Sequence, residues 1–325
     1  MNAIWLTCVV ASAAVALSNA FLGLTAWSAW PLVRRLAGGA KAEVRARVFF
    51  AWRIVPAAAP LAAGTIVGLA FVAFEPPNAS ESAGLTLLAP AALGALLLAG
   101  GMARASGALV ASARLARAWE TDGRSVAVPG VEMAVRVVDD DFPVAAVVGW
   151  CRPRLVVARA VMERCSSEEL AAIAAHEQGH VRARDNLRRL ALTAAADTLW
   201  WTRRGSDMIA AWQDAAEEAA DDHAAASGAC DVELAGALVA VSRLAAMRAP
   251  ATWSAGVLFY RGAGIEHRVR RLLERSHPDV VTTPKSSSWP LLAMSAALTA
   301  VMLVVTTDSG RTVYAATEWL VQRMP

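Results

Sequence analysis

The sequence predicts a mainly α-helical membrane protein with four transmembrane helices and an α+β domain inserted between the third and the fourth. Of its 325 residues, 56% are hydrophobic and 18% are charged, so the chain is more apolar than soluble domains usually are. Four stretches of at least 21 residues contain no charged side chain at all, while the rest of the chain has the charge density of a soluble domain. About 20 apolar residues suffice to span a bilayer, so each stretch predicts one transmembrane helix.

The uncharged stretches divide the chain into units. We predict spans at about 4–30, 54–74, 85–103 and 286–307, a basic loop at 31–53, a soluble domain at 112–285 and a short tail at 308–325. The first three spans and their loops form a unit at 1–111. Pro56 and Pro60 predict a kink near the start of the second span, because proline is tolerated in membrane helices. A signal peptide is the alternative for the first stretch, but no basic residue precedes it.

The distribution of Lys and Arg predicts the orientation. The 31–53 loop is rich in arginine and the soluble segment is flanked by basic residues, whereas 75–84 has none. Because positive residues favour the cytoplasmic side, we expect the soluble domain to be cytoplasmic and both termini to lie outside. The net charge of +3 follows from this anchoring, and no basic and aromatic cluster indicates nucleic-acid binding. The four cysteines have no paired spacing, which is typical of reduced thiols.

A hairpin followed by helices is predicted for the soluble domain. Short β-branched runs at 126–128 and 134–138 precede two more, 144–148 and 155–157, which flank a turn-rich pentapeptide and predict a hairpin. Ser166 and Glu169 form a capping-box pattern, so a helix should begin there and run well past Asn186. A second helix should begin after Ser206 and end at Gly228.

The first of these helices carries the sequence His176-Glu177-Gln178-Gly179-His180. Histidines four residues apart project from one helix face, so both imidazoles can bind the same Zn²⁺. Glu177 would then lie beside the metal, where it can take a proton from a water molecule. Gly179 costs about 1 kcal/mol relative to alanine in a helix, and a close backbone contact would account for it. The alternative is a surface histidine pair.

A third ligand is expected from the acidic run 216–223 on the second helix. Glu217 with Asp221, or Glu218 with Asp222, are both spaced for one helix face, so periodicity cannot choose between the two pairs. His223 is a further candidate ligand. A solvated acidic face is the alternative interpretation of this run.

At these residues the sequence resembles the BlaR/MecR-type antirepressor metallopeptidases of bacterial membranes. The resemblance is carried by 142–158, by 167–170 with 176–186, by 217–222, and by the basic run 265–273. It implies that Glu217 is the third zinc ligand and that Asp221 and Asp185 support the ligands. It does not extend to a penicillin-binding domain after the last span, so no β-lactam binding of that kind is expected.

The resemblance implies an integral-membrane zinc metalloendopeptidase of the bacterial cytoplasmic membrane, with one Zn²⁺ per chain and Glu177 as the catalytic base. The expected substrate is a cytoplasmic protein, and a DNA-binding repressor is the first candidate. Its cleavage would be part of signal-dependent regulation. A homodimer is compatible with this function. Weak candidates for stabilising the transition state are His223, His267 and Tyr260. HtpX-like quality-control and CAAX-prenyl-protease-like enzymes, or a non-catalytic zinc-containing signalling protein, are the alternatives. Glu177 argues against a non-catalytic protein, because a purely structural zinc site does not require a carboxylate that is not a ligand beside the metal.

Overall fold

Three long apolar helices begin the chain. The computed structural model describes residues 3–74, 84–127, 135–140, 144–149, 154–248, 262–276, 312 and 315–319. The helices are α1 (Ala3–Ala37), α2 (Ala42–Phe74) and α3 (Leu85–Asp122), and all three are long and apolar enough to cross a membrane. Three predicted spans therefore coincide with helices. The fourth predicted span, 286–307, and most of the 308–325 tail lie outside the described residues.

The predicted loop at 31–53 is wrong, because these residues are almost entirely helical. α1 continues to Ala37 and α2 begins at Ala42, so only residues 38–41 connect them. α3 likewise continues to Asp122, well beyond the predicted end of its span at 103. The end of an uncharged stretch shows where a helix stops being apolar, not where the helix itself ends. Alanine and arginine are good helix formers, so the helices continue beyond that point.

Small residues let the three helices approach closely. A Cβ added to Gly94 of α3 would lie 2.0 Å from the carbonyl oxygen of Ser12 in α1. A Cβ on Gly64 of α2 would lie 2.9 Å from the carbonyl oxygen of Ala11. Glycine at these positions therefore brings α2 and α3 against the backbone of α1, as is common where membrane helices pack.

The soluble domain begins with a four-stranded sheet. Its strands are β1 (Arg124–Val126), β2 (Val135–Val138), β3 (Ala145–Val148) and β4 (Arg154–Ala158), in the order β1-β2-β4-β3. β3 and β4 pair antiparallel with Ala145 opposite Val157, which confirms the predicted hairpin. β2 and β4 are parallel, and β3 is an edge strand of the sheet that the described residues form.

Six helices complete the described part of this domain. They are α4 (Arg159–Arg164), α5 (Ser167–Ala183), α6 (Asp185–Ala194), α7 (Arg203–Ala226), α8 (Asp231–Arg248) and α9 (Gly262–Ser276), with a 3₁₀ turn at Thr198–Trp201 before α7. The sheet packs on α4, α5 and α8 through a core that includes Leu155, Leu170 and Val241. The predicted capping box at the start of α5 is confirmed by two reciprocal hydrogen bonds. Ser166 Oγ accepts a hydrogen bond from the Glu169 amide at 3.1 Å, and Glu169 Oε2 accepts one from the Ser166 amide at 2.8 Å.

Two predicted helix boundaries are wrong. The helix after Ser166 does not run unbroken past Asn186, because Arg184 has φ 55° in the left-handed region and separates α5 from α6. α7 begins at Arg203 and not after Ser206, since Thr202 Oγ1 accepts from the Gly205 amide at 3.0 Å and caps the earlier start. Its predicted end at Gly228 is confirmed by a φ of 91° there.

Each of the three apolar helices sends one polar side chain to the segment 193–198 that joins α6 to the 3₁₀ turn. Asn19 of α1 accepts from the Thr198 amide at 3.1 Å and donates to Ala196 O at 3.3 Å. Arg53 of α2 pairs with Asp197, and both side chains are fully buried. Arg104 of α3 donates to the carbonyls of residues 193 and 195 at 3.1 and 2.7 Å. The soluble domain is therefore attached to all three helices at one segment.

Candidate metal centre

The two motif histidines of α5 face one glutamate of α7. His176 Nε2 lies 3.5 Å from Glu217 Oε2, and His180 Nε2 lies 3.5 Å from Glu217 Oε1. One ligand atom from each of the three residues lies within 4.8 Å of the others. Zinc bonds of about 2.1 Å in a tetrahedral site place neighbouring ligands about 3.4 Å apart. The two nitrogens and the carboxylate therefore fit a zinc ion.

Close contact between α5 and α7 makes this arrangement possible. Gly179 of α5 lies against Ala220 of α7, where an added Cβ would be 3.0 Å from Ala220 Cα and 3.2 Å from His223 Cβ. The close backbone contact expected from a glycine inside the motif is thus present. It brings the two helices together within one turn of the histidines.

A carboxylate lies behind each histidine. His176 Nδ1 is 2.9 Å from Asp221 Oδ1, and His180 Nδ1 is 2.8 Å from Asp185 Oδ2. Both aspartates are buried, with 0% and 2% of the side chain exposed. Asp185 reaches His180 because the chain turns at Arg184 and starts a new helix. These contacts turn Nε2 of each ring toward Glu217, as expected for metal-ligating histidines.

The two acidic pairs on α7 face different neighbours. Glu217 and Asp221 meet the histidines, whereas Glu218 pairs with Arg45 of α2 and with Arg271 of α9. The geometry thus favours the pair that the family resemblance implied and that periodicity alone left open.

Arg268 of α9 links the carboxylates of the centre, and the sequence did not predict this role. Its Nη1 donates to Glu217 Oε2 at 2.9 Å, while Nε and Nη2 donate to the two oxygens of Asp221 at 2.9 and 2.7 Å. Arg271 and Arg275 pair with Asp222 farther along the same face. The available signal was the spacing of these arginines, which matches the acidic face of α7 turn by turn.

The charges of the centre hold its groups in ionised form. Burial alone would lower the pKa of His180, but the negative charge of Glu217 and the contacts with Asp185 and Glu217 raise it to about 10. Burial also opposes the raised pKa of His176, where Asp221 and Glu217 outweigh it. Burial would raise the pKa of Glu217, yet His180 and Arg268 hold it well below its ordinary value. The carboxylates therefore stay negative and favour a cation between them.

Glu177 lies between the histidines and the edge strand. Its Oε2 accepts a hydrogen bond from the Val147 amide of β3 at 2.9 Å. Asn186, just after the turn at Arg184, donates to the Val147 carbonyl at 3.1 Å. The predicted catalytic base is therefore held at the open edge of the sheet, next to the cluster of ligands.

Of the three candidates for transition-state stabilisation, His223 lies beside the motif helix, His267 lies on the exposed side of α9, and Tyr260 lies outside the described residues. His223 packs against Gly179, and burial together with the charges of Arg182 and His176 lowers its pKa. The His267 side chain is 67% exposed, and its Nε2 lies 3.7 Å from Oε1 of Glu218, the glutamate that faces away from the motif histidines.

The apolar helices and the histidine-glutamate cluster together define a membrane-associated protein with a metallopeptidase-type centre. The model of peptidase family M48 matches residues 111–282, more than half of the chain. The chain therefore belongs to peptidase family M48, a family of zinc metallopeptidases, and it is a membrane metallopeptidase. No curated protein and no solved structure matches the chain.

Proposed function

We propose that this protein is a BlaR/MecR-type membrane metalloendopeptidase that cleaves a cytoplasmic protein, with a transcriptional repressor as the substrate, in response to a signal. The observation that carries the peptidase chemistry is the position of Glu177, which directly follows His176 in the motif and accepts a hydrogen bond from the Val147 amide of the edge strand. The repressor as substrate rests on the sequence blocks that resemble that family. The M48 match and the three apolar helices support the coarser conclusion of a membrane metallopeptidase.

The edge of β3 offers a place for an extended substrate. The Ala158 amide donates to the Val144 carbonyl at 2.7 Å, so the alternation of an antiparallel pair turns the N–H and C=O of Val147 away from β4. These are the groups with which an added strand would pair. They are held by Glu177 and Asn186. In this proposal a substrate strand takes over the bonds to Val147 and releases the Glu177 carboxylate for catalysis.

The chain supplies the proton transfers of peptide hydrolysis. A zinc ion held by His176, His180 and Glu217 would act as a Lewis acid and bring the pKa of a water molecule toward about 7. Glu177 accepts the proton of the attacking water and passes it to the amine that leaves when the C–N bond breaks. Asp221 and Asp185 keep the imidazoles oriented during this cycle.

The test compares cells that carry the wild type, Glu177→Gln or Gln178→Ala. Gln178 is exposed within the same motif, so its variant is a matched control. We expect wild type and Gln178→Ala to yield the same fragments of one cytoplasmic protein, while Glu177→Gln retains zinc and leaves that protein intact. Fragments of many damaged membrane proteins would instead indicate an HtpX-like quality-control protease. Identical fragments from Glu177→Gln would contradict the catalytic role.

A further inference from the structure

A positively charged pocket lies where the end of α1 meets the start of α7. It has a volume of about 540 Å³ and is lined by Trp30, Pro31, Arg34, Arg35, Arg204 and Asp207, among others. Three arginines face a single aspartate, so the pocket has an excess of positive charge. It is separate from the metal centre, since Arg204 and Glu217 are about 20 Å apart along α7 at 1.5 Å per residue.

Arg204 is held in place by two uncharged groups, a backbone carbonyl and an aromatic ring. Its Nη1 donates to the Trp27 carbonyl at 2.8 Å, and the guanidinium lies over the Trp27 ring at 4.0 Å. Across the described part of the chain, neither Arg204 nor the two α1 arginines form an ion pair with a carboxylate. A fixed and unpaired guanidinium is well suited to bind a phosphate group.

The position of the pocket indicates where that phosphate comes from. Arg34 and Arg35 directly follow the uncharged stretch of α1, and Leu32 beside them is 58% exposed. Trp27 and Trp201 are also exposed, by 39% and 67%. Apolar helix surface that ends in tryptophan and arginine is typical of the interface between acyl chains and headgroups. Basic pockets at that level bind anionic lipid headgroups.

From these observations we propose that the pocket binds the phosphate of an anionic phospholipid headgroup. Arg204 and the two arginines of α1 contact the phosphate oxygens, while Trp30 lines the apolar side and Trp27 supports the Arg204 guanidinium. The lipid then joins the end of a membrane helix to the helix that carries Glu217. This site does not depend on the proposed substrate or on peptidase activity.

The test measures lipid retention by the full-length, detergent-solubilised protein with native mass spectrometry. Phosphatidylglycerol and phosphatidylcholine with the same acyl chains are the probes. We expect phosphatidylglycerol to be retained preferentially, and Arg204→Gln to weaken its retention about fivefold, the effect of one basic residue at a membrane surface. Arg203→Gln is the matched control, because Arg203 is exposed on the same helix and does not line the pocket.

Two further measurements make the result decisive. Arg204→Lys keeps the charge and should retain more phosphatidylglycerol than Arg204→Gln, while zinc content reports that both variants are folded. Equal retention by Arg204→Gln and Arg203→Gln would overturn the proposal. Binding of inorganic phosphate without any preference for phosphatidylglycerol would also overturn it, because the site would then serve a free anion.

Discussion

Gly179 of α5 lies so close to Ala220 of α7 that a methyl group between them would push the neighbouring atoms away by a few tenths of an ångström. A Cβ on Gly179 would lie 3.0 Å from Ala220 Cα, closer than carbon atoms normally pack. His180 is the next residue on α5, and Glu217 lies three residues before Ala220 on α7. The spacing of the two helices at this point therefore sets the distance between the ligand atoms.

The first prediction concerns this contact. Gly179→Ala should reduce zinc affinity about 10- to 100-fold, as loss of a supporting contact does, because the helices must move apart. Alanine also gains about 1 kcal/mol of helix propensity, so the change in folding stability should be small. Gly107→Ala in α3 is the control, since an added Cβ there meets nothing within 4 Å. Zinc titration of both variants checks this, and equal affinities would refute the role of the contact.

The second prediction distinguishes the neighbouring glutamates. Glu217→Ala should lower zinc affinity by more than about 100-fold, because it removes a ligand and not only a support. Glu218→Ala should change it little, since Glu218 pairs with Arg45 and Arg271. Metal analysis after dialysis against a weak chelator measures both. If Glu218→Ala loses the zinc and Glu217→Ala keeps it, the assignment of the ligand is wrong by one residue.

Local signals were enough to predict the motif helix, its cap and the hairpin, because each depends on residues close in sequence. They could not choose between Glu217 and Glu218, since that choice depends on how α7 is rotated against α5. Nor could they predict Arg268, which joins the centre from a helix 47 residues beyond Asp221. The break at Arg184 was also missed, because a positive φ at a non-glycine residue is maintained by tertiary contacts such as that of Asp185 with His180.

The third prediction concerns Arg268. Arg268→Met should destabilise the protein by about 3–5 kcal/mol, because it removes the guanidinium that pairs with both oxygens of the buried Asp221 and leaves that carboxylate with the His176 imidazole. Adding Asp221→Asn should restore part of this stability, since the carboxylate charge that lost its guanidinium is then gone. Unfolding of the zinc-free protein by denaturant measures both variants. A double variant less stable than Arg268→Met alone would argue against an uncompensated charge as the cause.

The fourth prediction follows from the pKa of about 10 for His180 in the absence of metal. A raised pKa means that the imidazole is protonated at neutral pH, so zinc must displace that proton to bind Nε2. Zinc binding at pH 7 should therefore release at least one proton, and zinc affinity should rise with pH up to about 10. Calorimetry in two buffers of different ionisation enthalpy counts the protons. Zinc binding at pH 7 without proton release would contradict the charge state.

The fifth prediction is that the soluble segment 104–285 is poorly active or unstable without the apolar helices. Two observations support it. Asp197 is fully buried against Arg53, which lies outside that segment. Met208 and Trp212 of α7, both completely buried, pack in a cluster with Trp30 and Phe49 of α1 and α2.

Removing the helices would expose this apolar face and leave Asp197 without its partner, at the cost of about 3–5 kcal/mol if the carboxylate stays buried. The affected segment, 193–198, runs from the end of α6 to the 3₁₀ turn that precedes α7, so the damage lies between the helices that carry Asp185 and Glu217. Arg53→Met in the full-length protein is the matched variant, because it removes the same partner and leaves the apolar face covered. We expect it to lose part of the activity in proteoliposomes and the isolated segment to lose most of it. Wild-type turnover by the isolated segment would mean that the apolar helices serve only as an anchor.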